Sequence, residues 1–278
     1  MTSILQFFGF ARPSAEITED EDGLRIRKPH LHEESYHPDQ FFTAFRQGNY
    51  QQALRTVESL KNRGKMTPDF CYYIGATLVQ LSRYGEAEKF LREYLEIEGD
   101  SVQISRGYAM LAQMYIQQER FDDAMSLLSS GLEHCRDKAP LHRALAEAAL
   151  RRGDDPSSAL QLARLATHGE MPEKDEDERE VTDEQINMSG NLATLAWILA
   201  AAEGDEQEVD HLAQQAASLI KGDRVAACGQ VYYHAGLAYA TLGDRGRSMH
   251  CFEEAVLLDP KGIWGRGARM MAHGMSKG

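Results

Sequence analysis

The chain has 278 residues and an ordinary apolar content of 42%, which suits one large domain or two smaller ones. Its formal net charge of −13 argues against a protein that binds nucleic acid or anionic membranes through charge alone. No run of 18 apolar residues is present, so we expect no membrane span.

The N-terminal residues 1–33 have no sustained hydrophobic period and are predicted to form a flexible tail. Their apolar start, residues 1–10, is short and lacks basic residues, so it does not resemble a signal peptide. The alternative is that this stretch docks as a short helix or folds back over the rest of the chain. Three nearby histidines, His30, His32 and His37, have no cysteine beside them, so we expect no metal site there.

From residue 34 to residue 260, two helical patterns joined by a turn recur six times. The small residue after each turn returns at steps of 34, 37, 35, 50 and 39 residues. A period near 34 with two helices per unit predicts stacked helix pairs, and the long step predicts an insertion of roughly 16 residues. We therefore place units one to four at 34–166, an acidic loop at 167–186, and units five and six at 187–260.

The last unit has the clearest pattern. Its two helices flank a turn at Gly243, and Pro260 ends the second helix. Aromatic and small residues share the facing sides of the two helices, which lets the backbones approach closely. These residues are Tyr232, Ala235, Gly236, Tyr239, Ser248 and Phe252.

This pattern resembles the tetratricopeptide repeat family, although Ser248 stands where that family usually has Ala and Ala235 where it usually has a larger residue. The resemblance implies an all-α fold. The expected architecture is a right-handed α-solenoid of about six helix-turn-helix repeats that ends in a capping helix.

The insertion carries much of the charge, because residues 170–184 contain nine acids and two bases. Such a run resists burial and predicts an exposed, mobile loop. The alternative is an acidic contact for a basic partner.

Residues 261–278 are predicted to be the capping helix and tail, because the last repeat of a solenoid leaves an apolar face open. Their several glycines make this helix intrinsically weak. The alternative is a Met-rich segment that binds a partner.

No motif for chemistry is present: no phosphate-binding loop, dinucleotide fingerprint, nucleophile elbow or paired-cysteine zinc spacing. We therefore expect no enzymatic activity and no cofactor. The four cysteines lie within helical patterns, which favours buried, reduced thiols in a cytoplasmic protein over disulfides.

A stack of helix pairs offers a concave groove, lined by the first helix of each unit. The residues predicted to face it combine Tyr, Met, Gln and Arg, a mixture that suits an extended or helical peptide. They are Tyr72, Tyr73, Ala76, Gln80, Arg106, Met110, Gln113, Gln117, Tyr233, His234 and Leu237.

The resemblance implies a non-enzymatic protein–protein interaction module, in the form of a cytoplasmic chaperone or adaptor that holds a segment of a partner protein. We expect protein partners, no nucleic acid, and no membrane span, with self-association left open. One alternative is an assembly scaffold that works through its termini. The other is a regulatory subunit that works through its acidic loop. A subclass of the family clamps the carboxylates of heat-shock chaperones with paired basic residues, but only Arg106 matches that clamp here.

Overall fold

Thirteen α-helices dominate the part of the chain that the structure describes. The structure is a computed structural model, and its described residues are 17–20, 23–26, 38–61, 68–96, 102–168, 182–221 and 225–277. None of the helices in these ranges is long and apolar enough to cross a bilayer. The helices are α1 (Pro38–Arg46), α2 (Tyr50–Lys61), α3 (Pro68–Gln80), α4 (Tyr84–Leu95), α5 (Val102–Gln117), α6 (Phe121–His134), α7 (Ala139–Arg152), α8 (Pro156–Ala166), α9 (Asp183–Ala201), α10 (Glu206–Leu219), α11 (Gly229–Thr241), α12 (Arg245–Leu258) and α13 (Ile263–Lys277).

The helices pack as six consecutive pairs, α1 with α2 through α11 with α12, and α13 follows the last pair. The first helices of successive pairs, from α3 to α11, also contact one another. Each pair is therefore held both by its own partner helix and by the next pair, which is how a solenoid builds a continuous core. This arrangement confirms the predicted all-α solenoid.

All six pairs turn in the same way. In each turn, the N–H of one residue donates to a carbonyl five positions earlier, as Asn49 does to Ala44 (2.8 Å) and Asp244 to Tyr239 (2.9 Å). The residue before that donor has a left-handed backbone, a combination typical of helix C-termini. One repeated backbone turn thus sets the same geometry in every pair. The left-handed residues are Gly48, Ser82, Glu119, Gly153, Glu203 and Gly243, with φ between 54° and 90°.

Small residues bring the paired helices together, as the sequence of the last unit predicts. A Cβ atom on Gly236 would lie 2.7 Å from the ring of Phe252, so the absence of a side chain at this position lets α12 approach α11. The Ser248 hydroxyl donates a hydrogen bond of 2.9 Å to the carbonyl of Gly236, which satisfies both buried groups.

The predicted N-terminal tail contains a short antiparallel hairpin. Strands β1 (Ile17–Asp20) and β2 (Gly23–Ile26) pair with Ile17 opposite Ile26. The rest of the predicted tail lies outside the described residues, and so do the three histidines His30, His32 and His37.

The fifth unit begins earlier than its predicted boundary at residue 187, because α9 starts at Asp183. Thr182 and Gln185 form a capping box: the Thr182 hydroxyl accepts from the Gln185 N–H, and the Gln185 side chain accepts from the Thr182 N–H. Asp183 and Glu184 suit the first turn of a helix, where the helix dipole favours negative charge. Residues 169–181 of the predicted acidic loop lie outside the described residues.

Helix α13 packs on both α11 and α12. The prediction that glycines weaken this helix overlooked their use in packing. A Cβ atom on Gly265 would lie 1.9 Å from the carbonyl oxygen of Asp259, so only glycine lets α13 lie this close to the end of α12.

The four cysteines are buried thiols and form no disulfide, as the sequence predicts. Burial, together with the nearby Glu254 carboxylate, raises the pKa of Cys251 to about 12. Its reactive thiolate form is therefore scarce at neutral pH.

Two Gly→Ala substitutions test the close approach of α11 and α12. We expect Gly236→Ala to lower the free energy of unfolding by about 1–3 kcal/mol, because the new methyl group overpacks against Phe252. Gly85→Ala is the matched control: Gly85 is exposed on α4 with no atom within 4 Å of a Cβ, so this change should raise stability by about 0.5–1 kcal/mol. Urea unfolding measures both values. Equal effects at the two sites would contradict the packing described above.

Candidate functional site: an enclosed cavity with an arginine-containing wall

The two ends of the solenoid contact each other. The Tyr50 hydroxyl donates to the Asp259 carboxylate at 2.8 Å, across a separation of 209 residues. At the end of α3, the Gln80 side chain accepts from the Ile263 N–H (3.0 Å), and its carbonyl accepts from Arg266 (2.9 Å). We call these five residues the end-to-end contact. It joins the first two units to the start of α13 and so partly encloses the concave side of the solenoid.

Asp259 is the central residue of this contact. It is fully buried, and besides the Tyr50 hydroxyl it accepts the N–H of Gly262 at 3.0 Å. Burial raises the pKa of Asp259 to about 6, although its hydrogen bonds from Tyr50 and from backbone amides oppose the rise. Its second carboxylate oxygen has no hydrogen-bond partner among the described residues. The end-to-end contact therefore includes a carboxylate that is costly to keep charged.

The enclosed space is a cavity of about 220 Å³. Its wall is built from the first helices of all six pairs, together with the start of α2, the segment before α11 and the start of α13. The lining residues are Phe42, Phe45, Arg46, Tyr50, Tyr72, Tyr73, Gln80, Arg106, Ala109, Met110, Gln113, Pro140, Arg143, Ala144, Asp183, Ile186, Asn187, Val225, Ala226, Ala227, Gln230, Ile263 and Trp264.

Packed aromatic rings form one part of the wall. The rings of Phe42 and Tyr73 meet edge to face with centroids 4.9 Å apart, and those of Tyr72 and Tyr73 are 5.1 Å apart in the same arrangement. Burial raises the pKa of the Tyr72 and Tyr73 phenols above the usual value, so both remain neutral donors. Rigid rings with hydroxyl tips provide contact area at little cost in conformational entropy.

Charge defines another part of the wall, where three arginines meet one carboxylate among the described lining residues. Arg106 pairs with Asp183 at 3.1 Å, and its Nε atom is buried without a hydrogen-bond partner. Arg46 and Arg143 are the other two. Among the described lining residues, cations therefore outnumber carboxylates, in a protein whose net charge is −13.

Six of the eleven predicted groove residues line this cavity: Tyr72, Tyr73, Gln80, Arg106, Met110 and Gln113. The side chain of Gln80 is already engaged by α13, as described above. Ala76 is buried and does not line the cavity, and Gln117 does not line it either.

The three predicted groove residues of the last unit are buried instead of facing a groove. Tyr233, His234 and Leu237 are each at most 9% exposed. The reason is the position of α13, because the ring of Trp264 lies 5.6 Å from that of Tyr233 and 5.3 Å from that of His234. The capping helix thus covers this part of the concave face, and the prediction of an open groove there is corrected.

His234 belongs to a buried polar network. Its Nδ1 atom lies 2.9 Å from the Thr194 hydroxyl, and its Nε2 atom lies 3.8 Å from the Glu147 carboxylate. Burial lowers the pKa of His234 to about 4, so the ring is neutral at neutral pH. Burial raises the pKa of Glu147, but the nearby charges, first that of Arg151 at 2.9 Å, together with a hydrogen bond from Gln113, leave its pKa below the usual value. His234, Glu147 and Arg151 lie outside the cavity wall, and Nε2 of His234 has no hydrogen-bond partner among the described residues.

Several residues that line the cavity were not predicted from the sequence. Arg143 lies in the fourth unit, whose pattern is too diverged to orient its first helix from periodicity alone. Trp264 belongs to the segment predicted to be the cap, and Phe42 was not among the residues predicted to face the groove. An arginine among the alanines and leucines of α7 was the one available signal.

Sequence comparison agrees with this architecture. Two segments, residues 78–148 and 229–261, match sequence profiles of the tetratricopeptide repeat. No curated protein sequence is significantly similar to the chain. The chain thus contains tetratricopeptide repeats in two separate parts of a solenoid of stacked helix pairs.

Solved structures share the fold at low sequence identity. The Rap conjugation gene regulator of plasmid pLS20, solved in complex with the Phr* peptide, has a TM-score of 0.59 and 14% identity, with 86% of this chain and 73% of that chain covered. TTC0263, a tetratricopeptide-repeat protein of Thermus thermophilus, has a TM-score of 0.49 and 12% identity, with 76% and 100% covered. YrrB, described as having an unusual peptide-binding site, has a TM-score of 0.37 and 15% identity, with 77% and 97% covered. At these identities the similarity concerns the fold alone.

The raised pKa of Asp259 predicts a pH dependence of stability. The Asp259 carboxyl binds a proton more tightly in the native state than in the unfolded state. The stability that this protonation contributes is therefore complete below pH 3.8 and is lost as the pH rises through about 6. The rise of the pKa from 3.8 to about 6 corresponds to about 3 kcal/mol. Asp259→Asn keeps an oxygen for Tyr50 and Gly262 but cannot ionise.

We therefore compare the free energy of unfolding of Asp259→Asn with that of the wild type. The difference, variant minus wild type, should be about 2–3 kcal/mol higher at pH 7.5 than at pH 4. Urea unfolding at the two pH values measures this difference. Parallel pH profiles for the two proteins would show that Asp259 does not carry this cost.

Proposed function

We propose that this chain is a non-catalytic protein-interaction module that binds a segment of a partner protein at the enclosed cavity. The observation that carries the proposal is the wall itself, where packed aromatic rings surround a few polar and charged groups. This composition is typical of binding pockets, in which apolar area provides affinity and a few polar groups provide orientation.

The size of the cavity limits what enters it. Its volume of about 220 Å³ is below the roughly 300–1,000 Å³ of typical small-molecule pockets. One or two side chains fit in this space, whereas a whole peptide segment does not. We therefore propose that the partner segment lies at the cavity mouth and inserts anchor side chains, in the manner of interface hot spots.

A peptide segment is the ligand class to test first. The conjugation regulator, whose fold is similar, has been solved with the Phr* peptide bound. A chaperone or adaptor role follows if the bound segment belongs to a larger client protein. A cytoplasmic setting is consistent with four cysteines that are buried and free of disulfides.

Met110 is the lining residue best suited to a test. It lies on α5 and is only partly buried. Tyr73, by contrast, packs against Phe41, Phe42 and Phe45, so a charge there would damage the core as well as the cavity. Met270 on α13 is the matched control, because it is 76% exposed and outside the cavity wall.

We expect a photo-crosslinking amino acid at position 110 to capture a partner protein in lysate of the native host, and the same amino acid at position 270 to capture none. Mass spectrometry of the cross-linked peptide then identifies the inserted segment. Met110→Glu should reduce binding of that isolated segment at least tenfold, because it replaces an apolar contact in the cavity wall with a carboxylate that must lose hydration when the segment binds.

Met270→Glu should leave binding of the segment unchanged. Circular dichroism and thermal unfolding must show that both variants keep the wild-type fold. Capture from position 270 with none from position 110 would instead support a scaffold that binds through its C-terminal helix.

A further inference from the structure

Arg143 is a cation in the cavity wall whose guanidinium forms no hydrogen bond or ion pair with the described residues. It lines the cavity from α7 and is half-buried there. The nearest acid on its own helix is Glu147, one turn further along, and Arg151 holds that carboxylate at 2.9 Å. The positive charge of Arg143 is thus left available on the cavity side.

Gly190 on α9 leaves space for the Arg143 side chain. A Cβ atom on Gly190 would lie 2.7 Å from Nη1 of Arg143, so the glycine on α9 leaves the space that the guanidinium occupies. Burial lowers the pKa of Arg143, although the nearby Glu147 carboxylate opposes that shift. Placing an arginine in such a wall without an anion is unfavourable, and a bound anion would relieve that cost.

Arg106 adds a second donor to the same region. Its Nη1 atom is held by Asp183, but its Nε atom is buried and has no hydrogen-bond partner among the described residues. Tyr72 lines the same cavity, and the nearby charges of Arg106 and Arg143 oppose the rise that burial causes in the pKa of its phenol. Three groups that can donate hydrogen bonds therefore line one cavity, a composition that suits a carboxylate.

We propose that this cavity selects an acidic side chain, Asp or Glu, of the partner segment, with Arg143 as the main carboxylate-binding residue and Arg106 beside it. This inference rests on the proposed function and specifies which anchor residue enters the cavity. Guanidinium groups bind carboxylates through paired hydrogen bonds, so an arginine here provides orientation as well as charge.

A larger polyanion does not fit these observations. The cavity is enclosed and holds about 220 Å³, and the chain as a whole carries a charge of −13. An extended run of phosphates would meet repulsion outside the cavity before reaching the arginines. A single carboxylate on a side chain avoids this, because only that group enters.

The test uses the full-length protein and capped pentapeptide libraries, acetylated at the N-terminus and amidated at the C-terminus. The central residue is fixed as Glu, Gln, Lys or Leu, and the other positions are randomised. Immobilised protein is incubated with equimolar pools, and mass spectrometry measures the enrichment of each pool. We expect the Glu pool to be enriched at least tenfold over the Gln pool with wild-type protein, because a charge-assisted hydrogen bond is lost in the amide.

Arg143→Gln should bring that ratio close to one while leaving the Leu pool unaffected. Arg164→Gln is the matched control, because Arg164 is exposed on α8 and pairs with Glu208 outside the cavity. It should keep the wild-type ratio. Arg143→Lys retains a charge without the planar fork and should keep a reduced preference, which preserves the test if the glutamine variant is poorly folded.

Thermal unfolding separates this role from a structural one. If Arg143 only stabilises the fold, Arg143→Gln should lower the melting temperature, whereas removal of an unpaired cation should leave it unchanged or raise it. A Glu preference that survives Arg143→Gln would overturn the proposal. A second result would also overturn the proposal: Gln-centred peptides with a free C-terminal carboxylate could bind better than the capped Glu pool, and this preference could depend on Arg143. The ligand would then be a chain end and not an acidic side chain.

The remaining outcomes distinguish this inference from the proposed function. In one outcome, the peptide pools bind to the wild type without a preference for Glu, and Met110→Glu abolishes this binding. That result would overturn only the proposal that the anchor side chain is acidic. Absence of binding by every pool, together with no cross-link from position 110, would overturn both.

Discussion

The carboxylate of Asp259 joins three parts of the molecule that are far apart in sequence or different in structure. It follows the last repeat helix, it accepts the N–H of Gly262 just before α13, and it accepts the hydroxyl of Tyr50 from the first helix pair. The start of α13 and the closure of the solenoid therefore depend on one buried acidic group. The pKa of Asp259 is raised because its hydrogen bonds replace only part of the hydration that burial removes.

Closure changes what a tetratricopeptide-repeat solenoid offers to a ligand. Helix α13 lies over the concave positions of the last unit, where Trp264 packs on Tyr233 and His234. The space that remains is a cavity of about 220 Å³ between the first units and the chain end. A long groove distributes contacts along a segment, whereas a cavity of this size concentrates them on one or two anchor side chains.

The charged residues of the cavity wall contrast with the charge of the whole protein. A chain with a net charge of −13 has a wall with three arginines and one carboxylate among its described residues. In the binding mode that we propose, the outer field disfavours highly acidic partners and the wall favours a single acidic group. Repulsion at the surface and attraction in the cavity would then act on different features of the same ligand and together set the selectivity.

The helix pairs and their stacking were determined by the sequence alone. The interactions that specify them, such as the contact between Gly236 and Phe252, join residues within one period of about 34. The turns were predictable for the same reason, because each is a backbone motif of a few residues. Six of the eleven predicted groove residues line the cavity, since the first helix of a unit faces inward wherever its periodicity is clear.

Only the tertiary structure decided where the two ends of the stack come to lie. The end-to-end contact joins Tyr50 to Asp259 over 209 positions, and no single repeat encodes it. The path of a solenoid is the sum of small rotations between units, so a modest difference in each pair decides whether the ends meet. For that reason the sequence could not reveal that α13 would cover Tyr233 and His234, or that Arg143 would face an enclosed cavity instead of an open groove.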